Sequence, residues 1–322
     1  MADILSYGAY LPKFRAPLGE IQAFFGRPGR PRAKALATPA LDGDPLTMAY
    51  EAATQALDGA DAPDAIVNVC LSPPFALRKM GVTLARALDL EAAATYDVAG
   101  HPGALLDGLE LAAALADAGR TVLVVVSDHQ VSYEDKVCDM LSAGGAAAFL
   151  VGSGDGVARI GKTARTNREI YDVWVLGTED EPRYRMEVLF DSYAQATKGA
   201  IAALGAESSD YAAVAASQPH PQCLKALGKA GVSGEQLAGT SFVGDIGNLG
   251  AASVGIALAL ALDAAEAGQK VLAVGYGAGE GIACEIEVTG SAPCGIRDRL
   301  EGEPITLSTY YRWTRGRHVE PH

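Results

Sequence analysis

Cysteine, net positive charge and long apolar runs are all scarce in this sequence, and each shortage excludes something. The five cysteines in 322 residues (Cys70, Cys138, Cys223, Cys284 and Cys294) form no CxxC pair and no metal-ligand spacing. Neither a disulfide framework nor a metal site is therefore expected, and widely spaced reduced thiols fit a cytoplasmic chain. Lys and Arg number 26 against 39 Asp and Glu, a net charge of −13, which makes nucleic acid and anionic membrane surfaces poor partners. No apolar run between loops reaches the ~18–20 residues that span a bilayer. The first residues lack the basic and apolar regions of a secretory signal. A dinucleotide site is also unexpected, because the glycines at 275, 277, 279 and 281 precede the strand-like run Ile282 to Val288, where that motif needs a helix.

What is present is apolar and rhythmic. Hydrophobic residues make up 49% of the chain, ample for a large core. From Asp44 the pattern alternates helix and strand: helix over Leu46 to Leu57, strand over Ala65 to Leu71, helix over Met80 to Leu88 and strand over Ala93 to Ala99. An Ala/Leu-rich helix follows at Gly103 to Ala118, then strands at Thr121 to Ser127 and Gly145 to Val151. Thr163 to Arg185 reads as polar and irregular, after which helix is expected at Ser192 to Leu204 and Gln222 to Ala230. Strands at Tyr211 to Ala216, Lys270 to Tyr276 and Ile282 to Val288 complete the series, an α/β pattern. The stretch from Ser241 to Val254 puts a polar turn before the apolar run Gly255 to Leu262. A helix there has a smooth face of small residues and an N-terminus suited to a carbonyl oxygen or an anion. The loop Gly26 to Lys34 is locally basic, with Arg30, Arg32 and Lys34. It is either a solvated surface loop or a landing strip for the phosphates of a nucleotide-like ligand.

An internal repeat organises the rest. Asp97-Val98-Ala99-Gly100, a helix, Ala118-Gly119 and the strand from Thr121 recur about 150 residues on as Asp245-Ile246-Gly247, a helix, Ala267-Gly268 and the strand from Lys270. Two halves are therefore expected, at 1–156 and 157–290, with a tail at 291–322. Their polar-poor central helices should pack back to back.

At this point the sequence resembles the thiolase superfamily, in the branch of 3-hydroxy-3-methylglutaryl-CoA synthase and ketoacyl synthase III. The match is carried by Gly8 to Pro12, Asp44 to Ala49, Tyr96 to Ala99, Gly144 to Ala148, Gly247 to Ser253 and Tyr276 to Gly279. The resemblance implies a five-layered αβαβα fold made of two duplicated halves, a dimer, and acyl-CoA thioesters as ligands. It also implies a nucleophilic cysteine at the mouth of the first central helix, a histidine base and backbone N–H groups as an oxyanion hole. The usual constellation is broken here. Alignment of Tyr96 to Ala99 puts Pro102 at the cysteine position with His101 before it, and Ser217 in Ser217-Gln218-Pro219-His220 takes the histidine's place. Leu71-Ser72-Pro73-Pro74 offers no glutamate. Asn248 and the turn Gly277-Ala278-Gly279 are what is left.

Candidate site residues are thus Asn248, His101, His220 and Ser217 for chemistry. Arg30, Arg32, Lys34, Gly277 and Gly279 are the candidates for coenzyme A. His129 is expected to be structural and Cys138 inert, while Cys223 opens a helix, a place that can activate a thiol. The tail, with Tyr310, Tyr311 and Trp313 beside Arg312 and Arg315, resembles the segment that in some relatives meets a small zinc-ribbon and OB-fold protein. Aromatic and arginine side chains favour interfaces, so docking to such a partner or to a sister subunit is expected. Two readings stand: a non-condensing subunit of an acyl-transfer or thiolase complex, or an acyl-CoA enzyme that works without a covalent intermediate through His101, His220, Ser217 or Asn248. No cofactor is implied beyond acyl-CoA or CoA as ligand.

Overall fold

The computed structural model describes residues 2–27, 29–75, 77–131, 141–176, 183–205 and 207–315. In chain order its elements are β1 (Asp3–Tyr10), β2 (Phe14–Ala16), α1 (Leu18–Phe24), β3 (Leu36–Thr38), α2 (Pro45–Ala56), β4 (Ala65–Val69), α3 (Met80–Ala87), β5 (Ala94–Val98), α4 (Leu105–Asp117), β6 (Val122–Asp128) and β7 (Gly145–Gly152). There follow β8 (Ala158–Thr166), β9 (Val173–Trp174), β10 (Arg183–Tyr184), α5 (Met186–Leu204), β11 (Ala213–Ala216), α6 (Pro221–Ala226), α7 (Gly234–Ala238), α8 (Val243–Ile246) and α9 (Ala252–Ala264). The last are β12 (Lys270–Gly277), β13 (Glu280–Val288), β14 (Glu303–Pro304) and α10 (Leu307–Arg315).

Strand pairing reproduces the repeat. The large sheet runs β11-β12-β13-β8-β1-β7-β6-β4-β5. On one side β4 is parallel to β6, β6 antiparallel to β7, and β7 antiparallel to β1. On the other, β11 is parallel to β12, β12 antiparallel to β13, and β13 antiparallel to β8. The order and sense of pairing are the same, except that β5 has no counterpart in the second set among the described residues. The two sets are joined where Asp3 and Ile4 of β1 pair with Arg159 and Ala158 of β8.

Five layers result. Helix α2 covers β1 and β7 while α3 covers β4 and β5, and on the far side α5 covers β8 and β13. Between the sheets lie α4 and α9, which touch each other and strands of both sets. Helix α9 has no polar face, and every residue from Ala252 to Leu262 is buried, as an all-round apolar helix must be. Gly255 lets it approach so closely that an added Cβ would lie 2.8 Å from Val126 and 2.9 Å from Ala147. Helix α2 starts where Asp44 and Thr47 close a reciprocal cap, at 2.7 and 2.8 Å, with Pro45 in the first turn.

Three local expectations need correction. The stretch expected to be irregular, Thr163 to Arg185, begins with the end of the long strand β8, which pairs with β13 and is covered by α5 while its Lys162 and Arg165 stay exposed. Helix α5 begins at Met186, a turn and a half before Ser192. Helix α6 stops at Ala226 and tightens into a 3-10 turn up to Ala230, closed by Gly231 at φ 84°.

The tail folds back on its own chain. Trp313 meets Phe14 edge-on at 4.9 Å, and Tyr311 packs on Phe24 and Phe25 at 5.3 and 6.1 Å. Tyr310 is buried. These rings thus find partners within the chain. Arg15 bolts the tail down, donating to the carbonyls of Pro12, at 2.6 Å, and of Arg299, Leu300 and Glu301 between 2.6 and 3.1 Å.

Candidate functional site

A mainly apolar cavity of about 430 Å³ opens at the mouth of α4. Its floor is the segment entering that helix, Ala99, Gly100 and Pro102, faced by Asn248 and by Tyr276, Gly277 and Ala278 at the end of β12. Trp174 and Tyr184 of the β9–β10 ribbon and Leu189 of α5 supply the apolar wall. The fit of the two halves is tight here, because a Cβ on Gly277 would sit 2.5 Å from Pro102. Gly279, at φ 85°, passes within 2.1 Å of the Arg168 carbonyl by the same measure. Both glycines are therefore demanded by packing, and Gly277 also lines the cavity.

The candidates for chemistry separate. Asn248 lines the cavity, and its Oδ1 accepts from the Gly250 N–H at 2.9 Å. That orientation leaves its amide NH₂ without a protein acceptor among the described residues. Ser217 is buried between strands: its Oγ accepts from the Tyr276 N–H at 3.0 Å, and its carbonyl from the Tyr193 hydroxyl at 2.9 Å. It is a splice between β11 and β12. Neither histidine is among the residues that line the cavity.

His101 is held in an ion cluster behind the cavity floor. Its Nδ1 accepts from the Gly103 N–H at 3.1 Å, and its Nε2 lies 3.0 Å from Asp107 and 3.1 Å from Glu280. Arg165 closes the cluster from β8, 3.1 Å from Asp107 and 3.2 Å from Glu280, and also meets Glu110. Burial pushes the Asp107 carboxyl up, but His101 and Arg165 outweigh it and hold it below the usual carboxylate range. His101, Asp107 and Glu280 bring potential ligand atoms within 4.8 Å of one another, and the two carboxylates already hold a cation, the Arg165 guanidinium.

His220 has the opposite surroundings. It caps α6 by accepting the Gln222 N–H on Nδ1 at 3.0 Å, lies against Phe190 at 4.9 Å, and meets the Arg32 guanidinium at Nε2. Burial, then the Arg32 charge, pull its pKa down to about 4. Of the other basic candidates, Lys34 pairs with Asp245 at 2.7 Å and Arg30 is exposed.

Two buried acids that sequence reasoning missed stand nearby. Asp172, fully buried, accepts from Val173 N–H at 2.7 Å, from Ser192 Oγ at 3.3 Å and from the Tyr276 hydroxyl. Burial and that bond to Asp172 raise the Tyr276 phenol far above its ordinary range. Asp172 and Tyr276 both line the cavity. Asp128, also fully buried, accepts from Ser72 and from the Ala251 N–H at 2.9 Å. Burial pushes its carboxyl up to about 6.

Cys70 is a cavity-lining thiol. Burial first, then the charge of Asp128, push it well above the ordinary thiol range, so it is held protonated. Cys223, on the buried side of α6, is pushed up to about 12 by burial and Asp172, the reverse of an activated thiol. Cys138 lies outside the described residues.

Comparison with known proteins fits this geometry. No family model matches the chain. The hydroxymethylglutaryl-CoA synthase of Methanocaldococcus jannaschii is 29% identical over 310 residues, 90% of this chain and 89% of the relative. That of Archaeoglobus fulgidus is 26% identical over 331 residues, 96% of each. Among solved structures, an HMG-CoA synthase complexed with CoA superposes with a TM-score of 0.87 at 17% identity, covering 99% of this chain and 91% of that one. A 3-oxoacyl-[acyl-carrier-protein] synthase III from Aquifex aeolicus gives 0.77 at 20% identity, over 89% of this chain and 100% of that one. The fold is thiolase-like, and the sequence is similar to those of hydroxymethylglutaryl-CoA synthases. The thiolase-like α/β fold expected from sequence is thus the fold found. In this thiolase-like frame the cavity lies where the first central helix begins, between the two halves. Among the described residues no helix is long and apolar enough to cross a membrane.

Proposed function

We propose that this chain binds a coenzyme A thioester in the cavity at the mouth of α4 without forming an acyl-enzyme. It acts as a non-condensing subunit of an acyl-transfer or thiolase complex. One observation carries the reading: the floor of the cavity is Ala99, Gly100 and Pro102, and the thiol that lines it, Cys70, is held protonated. An apolar wall of Trp174, Tyr184 and Leu189 suits an acyl chain, and the Asn248 amide is a donor for its carbonyl. Arg30, Arg32 and Lys34 supply charge for the phosphates outside. The covalent partner chemistry then belongs to another chain, a thiolase-like one. The exposed edge strand β5, with Tyr96 facing out, is where a second copy or that chain would add its own strand. A small zinc-ribbon and OB-fold protein is the third member of the proposed assembly.

The test is intact-protein mass spectrometry after incubation with acetyl-CoA and acetoacetyl-CoA, beside calorimetric binding of the same ligands. Micromolar binding with no mass shift is expected. An acyl adduct mapping to Cys70 would sink the proposal. Co-purification from the native host tests the assembly.

The alternative of a non-covalent enzyme loses its proposed bases in this reading, since both ring nitrogens of His101 are engaged and His220 is starved of protons. Its remaining acid–base pair is Tyr276 and Asp172. Turnover of an acyl-CoA that is abolished by Asp172→Asn would favour it.

A further inference from the structure

Helix α9 starts without a cap of its own, because the residue in the cap position is Ala251, whose side chain accepts nothing. The acceptor comes from the other half of the molecule. Asp128, at the end of β6, takes the Ala251 N–H on Oδ2 at 2.9 Å, which places an anion at the positive end of that helix. Its Oδ1 accepts from the Ser72 hydroxyl, and Ser72 Oγ accepts in turn from the His129 N–H at 2.9 Å. The carboxylate is fully buried, so bulk water does not compete for it. Gly250, at φ 55°, lies directly against it, since an added Cβ would sit 2.0 Å from Asp128 Oδ2. The turn that carries Gly250 and Ala251 is thus moulded on the Asp128 side chain.

That turn aims the Gly250 N–H at Asn248 Oδ1, 2.9 Å away. The main chain of Asn248 is pinned separately: its N–H donates to the Leu141 carbonyl at 2.7 Å, and its carbonyl accepts from the Ala143 N–H at 2.8 Å. A carboxamide has an acceptor end and a donor end of nearly the same shape. With Oδ1 claimed by Gly250, it is the NH₂ that is left for the cavity, which Asn248 and Gly250 both line.

We infer that Asp128 is the positioning residue of the carbonyl site, holding the Asn248 amide with its NH₂ towards the ligand through the Gly250–Ala251 turn. The inference rests on the acyl-thioester reading of the cavity and adds what keeps a donor, not an acceptor, at the thioester oxygen. Asp128 itself stays behind the turn and reaches the ligand only through Asn248. An asparagine at 128 can do the same work, since its oxygen serves Ala251 and its NH₂ serves Ser72 Oγ. An alanine there leaves the Ala251 N–H without its acceptor and the turn without its mould.

The test uses the full chain, with thermal melting as the check on folding. Calorimetry compares acetyl-CoA with S-ethyl-CoA, in which a methylene replaces the carbonyl, on wild type, Asp128→Asn, Asp128→Ala and Asn248→Ala. Wild type and Asp128→Asn should prefer acetyl-CoA about tenfold, and in the two alanine variants the preference should fall to about twofold or less. The infrared band of the bound, isotope-labelled thioester carbonyl should lie lower in wild type and Asp128→Asn than in either alanine variant. If Asp128→Ala does not fold, Asp128→Ser, with a side chain too short for the Ala251 N–H, takes its place. In the ligand-free protein the Asn248 NH₂ should give a single sharp pair of NMR signals in wild type and Asp128→Asn. In Asp128→Ala that pair should broaden or double. A folded Asp128→Ala that keeps the preference, an Asp128→Asn that loses it, or an equal loss of both ligands overturns the positioning role. If neither ligand binds to wild type, the thioester reading of the cavity falls and the NMR signals alone decide the role, an unchanged sharp pair in Asp128→Ala sinking it.

Discussion

His101 and His220 flank the same cavity, one at each half of the molecule, and their environments are opposites. His101 sits among Asp107 and Glu280, with Arg165 balancing them. His220 sits between an arginine and an aromatic ring. Neither environment makes a general base that faces the cavity. The first uses both ring nitrogens for structure, and the second drives off the proton that a base must accept and return. The lesson is that a histidine near a pocket acquires its role from the charges behind it, and the two sides can be broken separately.

The largest effect should come from Gly277, where the His101 side meets the end of β12. An added Cβ would lie 2.5 Å from Pro102 and 2.6 Å from His101. Gly277→Ala must displace the floor of the cavity, at a cost of about 3 kcal/mol. Urea unfolding should show that loss, and calorimetry should show acyl-CoA binding lost with it.

Next comes the acid side of the comparison. The His220 pKa falls to about 4 in the fold from 6.5. Below pH 6.5 the unfolded chain therefore binds a proton that the folded one does not, so stability drops as pH falls from 6.5 towards 4. The drop is of the order of 3 kcal/mol. Asp128 runs the other way. Its pKa rises to about 6 from 3.8, so its contribution is present in acid and is lost as pH rises through 6. His220→Asn should leave a chain that gains stability on acidification over this window, and Asp128→Asn one that loses it more steeply than wild type. Denaturant titrations at pH 4.5, 5.5 and 7 decide, and equal slopes in both variants would refute the assignment.

Arg165→Ala should cost less, about 2 kcal/mol, since the guanidinium is partly solvated while three carboxylates are left together. The accompanying Asp107→Asn, Arg165→Ala double change should recover part of that loss.

How much of this was legible follows physical lines. Helix α9 was readable because an all-apolar helix has only one place to go, and the repeat was readable because the same strand, helix and turn recur in order. The tail aromatics announced a need for partners, but not that Phe14, Phe24 and Phe25 from the other end of the chain would meet it. Asp172 was invisible because it lies in a polar stretch with no periodicity, and its meaning depends on Tyr276, 104 residues later. Strand β8 was hidden by its wet face. The direction of the His101 ring was beyond reach too, since the carboxylates and arginine that turn it come from α4, β8 and β13.

The smallest expected effect sharpens the comparison most. If His101 is a structural group, His101→Gln should lose the Gly103 N–H acceptor and one contact to the carboxylates, a cost of about 1 kcal/mol. Arg165 still bridges Asp107 and Glu280, so the cluster survives. The cavity floor at Gly100 and Pro102 is held by the close fit to Gly277 and not by the imidazole, so acyl-CoA affinity should stay within about twofold of wild type, well inside the roughly tenfold that a lost charge-assisted bond produces. Calorimetry on His101→Gln decides. A tenfold loss would overturn the structural role assigned to this histidine.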